Sequence, residues 1–323
     1  MDDITLLVLA NPADRLLAML EALPEETHIA VGDSAEAFER SAAEAEVVFN
    51  WSGSRALLRE VLAMAPAARW VHTRSAGLDD LLFPELTAHP AALTNASGVF
   101  SPSLGEWVLG AILYFAKDFR RLARNQAAGV WEQFDVPCIE GQTVGIVGYG
   151  DIGHAVAARV RAMGMRVLAL KRHAPPPGRV DPLAQRIYPT ESRCEMLAQC
   201  DYVVIAAPLT PETRGMMGAA EFAAMKREAV LVNVGRGPVV DEAVLIQALS
   251  RGRIKGAALD VFDQEPLPPG HPFYRLENVL LSPHSADHTP DWLERAMRQF
   301  LDQFERFRRG EPLANVVDKH LGY

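Results

Sequence analysis

The chain has little cysteine. Cys138, Cys194 and Cys200 are all of it, an odd number with no Cys-x-x-Cys spacing. That excludes a disulfide framework and a thiolate zinc site, no metal centre is predicted, and reduced thiols in a cytoplasm fit. Positive charge is not in excess either: 32 Lys+Arg stand against 41 Asp+Glu, a formal net charge of −9. Nucleic acid and anionic membranes are therefore poor partners, and an anionic ligand must be met by cations placed locally. The longest apolar run, residues 107–116, is too short to span a bilayer. The opening Met1-Asp2-Asp3 is acidic where a secretory signal would be basic. No internal repeat at a period of roughly 20–50 residues and no low-complexity tract is present. The remainder is ordinary, 49% hydrophobic and 23% charged over 323 residues. That is the composition of a soluble, cytoplasmic protein long enough for two domains.

What is there centres on Thr143-Val-Gly-Ile-Val-Gly148-Tyr149-Gly150-Asp151-Ile152-Gly153. A run rich in β-branched residues, suited to a buried strand, leads into the G-x-G-x-x-G spacing. Behind it Ala155, Val156, Ala158, Val160 and Met163 fit the apolar face of a helix. In a dinucleotide site Gly148 permits the tight turn and Gly150 lets the backbone approach a pyrophosphate. Gly153 lets the helix lie close on the strand, and the helix N-terminus offers N–H groups to the anion. The motif lies near the middle of the chain, so a different module precedes it.

That module reads as strands at 4–9, 27–31, 46–50, 69–72 and 91–95, with helices at 15–23, 34–45 and 54–64. The alternation predicts an α/β unit with a parallel sheet. A single long helix over 103–128 follows, with Leu104, Trp107, Val108, Ala111, Ile112 and Phe115 at helical spacing; it reads as a core helix linking domains, with room for a dimer contact. Strands at 143–147, 167–170, 202–206, 230–234, 257–259 and 279–281 predict a doubly wound six-stranded sheet. A helix over 290–309, carrying Trp292, Leu293, Ala296, Phe300, Phe304 and Phe307 on one side, is expected to return to the N-terminal domain. The predicted organisation is two Rossmann-like/flavodoxin-like α/β domains. A dinucleotide-binding domain, 103–285, is inserted into a substrate domain, 1–102 with 286–323.

An NAD site usually has Asp or Glu at the end of its second strand, where it binds the adenosine ribose. Here the strand ends Ala169-Leu170-Lys171-Arg172-His173, with Pro175, Pro176 and Pro177 stiffening the next loop. A carboxylate ~4 Å from a 2′-phosphate would cost about 4 kcal/mol per charge pair at an effective dielectric of 20. That is nearly three decades of affinity, on the order of what decides cofactor choice. Lys171 and Arg172 therefore favour NADP(H), with NAD(H) possible.

Polar stretches follow later strands: Asn233-Val-Gly-Arg236-Gly, Leu259-Asp260-Val-Phe-Asp-Gln-Glu265-Pro, and Ser282-Pro283-His284. Singly, such residues are ordinarily surface ion pairs or helix caps, and Asp241 and Glu242 read as a helix start. Together they supply a cation, a carboxylate and a histidine, which suits reduction of a 2-keto acid. The guanidinium can grip a carboxylate and polarise the ketone; the histidine can protonate the nascent alkoxide near neutral pH. A neighbouring carboxylate would orient the imidazole and raise its pKa. His154, His271 and His288 carry no such pattern.

With these motifs and Pro208-Leu-Thr-Pro-Glu-Thr213 in order, the sequence resembles the D-isomer-specific 2-hydroxyacid dehydrogenase family over essentially its whole length. The resemblance implies a catalytic trio of Arg236, Glu265 and His284. It also implies that Asp151, Ile152, Ala207, Pro208, Thr213, Val234, Gly235 and Asp260 line the cofactor, and that a domain cleft closes on substrate. Ser75-Ala76-Gly77-Leu-Asp79 looks like the family's substrate loop, so the N–H groups of Ala76 and Gly77 should hold the substrate carboxylate. Trp51 is a candidate for shaping the pocket, with a core position the equal alternative. Formate-oxidising relatives typically have glutamine where Glu265 stands. Phosphoglycerate-specific relatives often carry a regulatory domain, for which a chain ending at Tyr323 has no room. The expected activity is NADPH-preferring reduction of a small 2-keto acid, of the glyoxylate or hydroxypyruvate type, to the D-2-hydroxy acid, by a homodimer. The alternatives are an NAD-dependent relative such as a phosphoglycerate dehydrogenase, and a dinucleotide-sensing corepressor of the same fold.

Overall fold

The computed structural model describes residues 3–172 and 180–323. The chain divides into two compact units, Met1–Phe100 with Thr289–Tyr323, and Ser101–His288. The first holds β1 (Ile4–Leu9), β2 (Thr27–Gly32), β3 (Val47–Asn50), α1 (Arg55–Met64), β4 (Trp70–Thr73), α2 (Pro84–Ala88) and β5 (Ala92–Thr94). Its strands are all parallel in the order β2-β1-β3-β4-β5, the flavodoxin-like doubly wound arrangement. Every residue of β3 and β4 is buried, as a parallel strand covered on both faces requires. Ser54 starts α1 by accepting from the Leu57 N–H at 3.2 Å, and Leu57, Leu58, Val61 and Leu62 form its buried face.

The second unit runs through α3 (Ser101–Ala116), α4 (Phe119–Ala128), β6 (Thr143–Val147), α5 (Asp151–Ala162), β7 (Arg166–Leu170), β8 (Arg186–Tyr188) and α6 (Arg193–Leu197). It continues with β9 (Tyr202–Ile205), α7 (Ala219–Ala224), β10 (Val230–Asn233), α8 (Glu242–Ser250), β11 (Gly256–Leu259) and β12 (Val279–Leu281). The 7-stranded parallel sheet has the order β12-β11-β10-β9-β6-β7-β8. The winding reverses between β6 and β9, so the ligand crevice of such a sheet lies at their carboxyl ends. The chain then adds α9 (Trp292–Arg308) to the first unit. There Phe300 stacks on Phe49 with ring centroids 3.8 Å apart and on Trp70 at 5.4 Å. Beyond α9, the Val317 N–H donates to the Leu93 carbonyl at 2.8 Å, and Val316 bridges Thr94 in antiparallel sense, closing the free side of β5.

Several elements differ from the sequence-based expectation. Residues 34–45 form no α-helix but two 3-10 turns, Ala35–Phe38 and Ala42–Glu44. Phe38, Ala42 and Ala45 are buried at helical spacing, but the backbone bonds run three residues back, as in Ser41 N–H to Phe38 carbonyl at 3.0 Å. Residues 15–23 are likewise a 3-10 helix, Arg15–Ala22, started by Asp14. The long helix breaks at Asp118, whose backbone is left-handed (φ 49°) and whose carboxylate caps α4 on the Arg121 N–H. The face of α5 that packs inward is Gly153, Val156, Ala157 and Val160, while Ala158 and Met163 are exposed. β8, too short for a periodic signal, adds a seventh strand to the expected six. His173 and the prolines Pro175, Pro176 and Pro177 lie outside the described residues.

One polar group sits deep in the first unit. His72 on β4 is 0% exposed; its Nδ1 lies 2.7 Å from Thr94 Oγ1, which also accepts from Trp70 Nε1 at 2.7 Å. Its Nε2 is buried without a partner. Burial pushes the imidazole down from 6.5 to about 3, because a charge there would lose its hydration. The unfolded chain protonates His72 below pH 6.5 while the folded one does not until about pH 3. Acid therefore favours unfolding across that window, and the neutral-pH stability is lost as pH falls through it. Comparing urea midpoints of wild type and His72→Gln at pH 7.5 and 5.0, the wild type should lose about 2 kcal/mol more than the variant.

Candidate active site

Four loops of the second unit meet at the carboxyl ends of its strands, and the glycines show how closely. Gly148 leaves β6 with φ 93°, and a Cβ there would lie 2.4 Å from the Ala207 nitrogen after β9. A Cβ on Gly153 would lie 2.6 Å from the Gly148 carbonyl oxygen, so the close approach of α5 to β6 needs that glycine. Gly150 is different: its φ of −98° suits any residue, and a Cβ would meet nothing within 4 Å. No side chain caps α5 there either. Open space beside an uncapped helix N-terminus fits a phosphate-bearing ligand, since the orphan N–H groups and the helix dipole both favour an anion. Asp151 is held by the Ser101 hydroxyl. Tyr149 is buried, its hydroxyl donating to Asp181 at 2.9 Å. Burial, then that carboxylate, pushes its pKa up, so it stays a neutral donor. Asp181 also accepts from the Leu183 and Ala184 N–H groups at 2.9 and 2.8 Å, tying the glycine loop to the start of the segment leading into β8.

Lys171 and Arg172 follow β7, whose last carbonyl, that of Leu170, accepts from the Gly148 N–H at 3.2 Å. They therefore stand beside the glycine loop. Arg172 pairs with Glu212 at 3.1 Å. Glu212 belongs to the loop after β9, where Thr213 Oγ1 donates to the Pro208 carbonyl at 2.6 Å and accepts from the Thr210 N–H at 2.8 Å. The Thr213 hydroxyl thus shapes its own loop.

Arg236, Glu265 and His284 arise from the loops after the adjacent strands β10, β11 and β12. Asn233 braces the first loop, its Oδ1 accepting from the Gly235 N–H and its Nδ2 donating to the Arg236 carbonyl, both at 3.1 Å. The Arg236 guanidinium donates to the Gly235 carbonyl at 2.9 Å. Cβ atoms on Gly235 and Gly237 would lie 2.8 Å from the Ala207 oxygen and 2.0 Å from the Phe262 carbonyl carbon. Glu265 Oε1 accepts from the Phe262 N–H at 2.9 Å, and Oε2 lies 2.6 Å from His284 Nδ1. With a carboxylate on Nδ1, that nitrogen carries hydrogen and Nε2 is left to face a reactant.

Asp260, predicted among the cofactor-lining residues, makes contacts of another kind. It is 1% exposed, its Oδ1 accepts from the Ser285 and Ala286 N–H groups at 3.0 and 3.1 Å, and its carbonyl accepts from the His284 N–H at 2.9 Å. These bonds hold His284 at φ 51°, a left-handed conformation that costs a non-glycine residue on the order of 1 kcal/mol. An aspartate ending a strand gave no sequence signal for this positioning role. In the first unit, Ser75, Ala76 and Gly77 follow β4. Asn95 Nδ2 donates to the Ala76 carbonyl at 2.7 Å and the Ala96 N–H to the Ser75 carbonyl at 3.1 Å. Among the described residues the Ala76 and Gly77 N–H groups donate to no protein acceptor. Trp51 is a core residue, 1% exposed, with its Nε1 donating to Asp14 at 2.7 Å. The Arg74 guanidinium, which sequence reading passed over, lies 5.5 Å from the Trp51 ring and 5.7 Å from that of Trp292.

The sequence profile of the D-isomer specific 2-hydroxyacid dehydrogenase NAD binding domain matches residues 109–286. A glyoxylate reductase from Korarchaeum cryptofilum is 35% identical over 271 residues, 81% of this chain and 80% of its own. A D-isomer specific 2-hydroxyacid dehydrogenase from Xanthobacter autotrophicus, solved in complex with NADPH and MES, aligns with a TM-score of 0.84 at 30% identity, covering 100% of both chains. An NADPH-dependent glyoxylate/hydroxypyruvate reductase from Sinorhizobium meliloti, solved with NADP and sulfate, aligns at 0.81 and 28% identity, again over 100% of both. The glycine loop, the imidazole–carboxylate pair and these matches lead to one conclusion: the chain belongs to the D-isomer-specific 2-hydroxyacid dehydrogenase family of oxidoreductases.

Proposed function

We propose that this enzyme reduces a small, unphosphorylated 2-keto acid of the glyoxylate or hydroxypyruvate type to the D-2-hydroxy acid, with NADPH preferred over NADH. The observation that carries the reaction is the Glu265 carboxylate 2.6 Å from His284 Nδ1. The nicotinamide, when bound, supplies the hydride. The protein's own part is electrostatic and geometric. Arg236 binds the substrate carboxylate and polarises the ketone, as a permanently charged, forked donor can. His284 delivers a proton from Nε2 to the oxygen as it becomes an alkoxide, and Glu265 orients the ring by accepting from Nδ1. The N–H groups of Ala76 and Gly77 hold the substrate carboxylate. Lys171 and Arg172, with no carboxylate between them and the glycine loop in sequence, support the NADPH preference, as do the relatives solved with NADPH and NADP.

The test is NADPH and NADH oxidation against a panel of 2-keto acids, with His284→Ala beside the wild type. Turnover should be highest on glyoxylate or hydroxypyruvate with NADPH. The variant should lose roughly 100-fold or more in kcat, with the Kd for NADPH changed by less than about threefold. Near-wild-type turnover in His284→Ala would refute the proton donor, and equal efficiency with NADH would refute the cofactor preference.

Gly148, Gly150 and Gly153 receive the pyrophosphate, and the packing separates their contributions. Gly150→Val should cost only about 1 kcal/mol of stability, since its Cβ meets no protein atom within 4 Å, yet abolish measurable NADPH binding. Gly153→Val should melt markedly earlier. A Gly150→Val protein that binds NADPH normally would place the phosphates elsewhere.

The protein acts as a homodimer. None of α4 is buried, and Phe119, Leu122, Val130 and Trp131 are exposed, Trp131 at 94%. Such an apolar surface on one segment marks an interface. Light scattering after size exclusion should give twice the chain mass for wild type and the single-chain mass for Leu122→Glu/Trp131→Glu. A monomeric wild type at micromolar concentration overturns this.

A further inference from the structure

Arg172 has an anion on it that belongs to the protein. Glu212 Oε2 sits 3.1 Å from the Arg172 guanidinium, and the Thr210 hydroxyl donates to that same oxygen at 2.8 Å. The Thr210 N–H to Thr213 Oγ1 bond at 2.8 Å and the Thr213 Oγ1 to Pro208 bond at 2.6 Å fix the loop that carries it. Arg172 follows β7 and Glu212 follows β9, the strands on either side of β6. The pair therefore reaches across the strand end from which the glycine loop springs. The Thr210 hydroxyl and the loop's own N–H, together with Arg172, hold the Glu212 carboxyl below the ordinary range. It is an anion at every working pH.

We propose that Glu212 is a specificity-determining residue whose carboxylate competes with the 2′-phosphate of NADPH for the Arg172 guanidinium. This rests on the reading of Lys171 and Arg172 as the phosphate site. A 2′-phosphate and a carboxylate present the same kind of oxygen acceptors to a guanidinium, and two such anions on one fork repel each other. The pair is open to solvent, with side-chain exposures of 31% for Arg172 and 65% for Glu212. Breaking it costs less than about fivefold in an equilibrium constant, so the phosphate displaces Glu212 instead of being excluded by it. A dinucleotide without the phosphate has nothing to offer Arg172 and leaves the pair closed. Glu212 thus lowers affinity for NADPH alone and narrows the gap between the cofactors that the two cations open.

Direct titration of the free enzyme with NADPH and NADH, followed by protein fluorescence or calorimetry, tests this without turnover. Glu212→Gln keeps the Thr210 contact and removes the charge. Its Kd for NADPH should fall roughly three- to fivefold at low ionic strength and by less at high salt, with NADH unchanged. Arg172→Ala should weaken NADPH by about tenfold or more and NADH little. Glu212→Gln added to Arg172→Ala should bring no further gain. Weaker or unchanged NADPH binding in Glu212→Gln, or equal gains for both nucleotides, overturns the competition; if Arg172→Ala still loses NADPH, the phosphate site stands. If Arg172→Ala has no effect the competition falls, and if Lys171→Ala/Arg172→Ala also has none, the NADPH reading falls with it.

Discussion

The chemistry of the second unit depends on backbone packed directly against backbone at the carboxyl edge of its sheet. Gly148 abuts Ala207, Gly235 abuts the same residue from the other side, and Gly237 abuts Phe262. At each point a methyl group would collide with main-chain atoms, which cannot rotate away as a side chain can. The loops after β6, β9, β10 and β11 consequently fix one another. Arg236 lies between the Gly235 and Gly237 contacts, and the N–H of Phe262, the residue Gly237 abuts, holds the carboxylate that orients His284. A site assembled this way keeps its geometry from the strands themselves, as a scaffold for charged transition states should.

The features legible in the sequence were those governed by local rules. Buried parallel strands read as apolar runs, most of them β-branched, and that pattern together with the alternation of strand and helix located the strands of both sheets save the three-residue β8. The glycine loop was legible because Gly148 and Gly153 each answer a steric demand of the protein itself, and Gly150 leaves open space beside the helix N-terminus. Illegible features were those where two structures satisfy one pattern. Phe38, Ala42 and Ala45 reach the core equally well from an α-helix or from successive 3-10 turns. The turn at Asp118 required a left-handed aspartate, which composition does not announce. The same holds for Asp260 and Glu212: the side-chain partners of Asp260 lie 25 and 26 residues away, and the cation beside Glu212 follows β7, on the far side of β6 from β9.

A chain with a net charge of −9 that handles anions must concentrate its cations and keep its own acids from cancelling them. The second unit does this by giving carboxylates main-chain work. Asp260 takes two N–H groups of the histidine loop, Asp181 takes two of its own, and Asp241 caps α8 on the Val244 N–H at 3.0 Å. Each is occupied with the backbone. Glu212 is placed otherwise, with its charge directed at the Arg172 guanidinium.

The antiparallel bridge of Val316 with Thr94, and the Val317 bond to Leu93, bear on how the protein is handled as well as how it folds. An open strand edge is a template for pairing with another chain. By lying along β5, the segment after α9 closes that template within its own unit. Side chains reinforce it, Asn315 Nδ2 donating to the Ser97 carbonyl at 2.8 Å and Val317 packing into the core of the unit, so trimming the chain behind α9 would expose β5 and leave the protein prone to associate edge to edge.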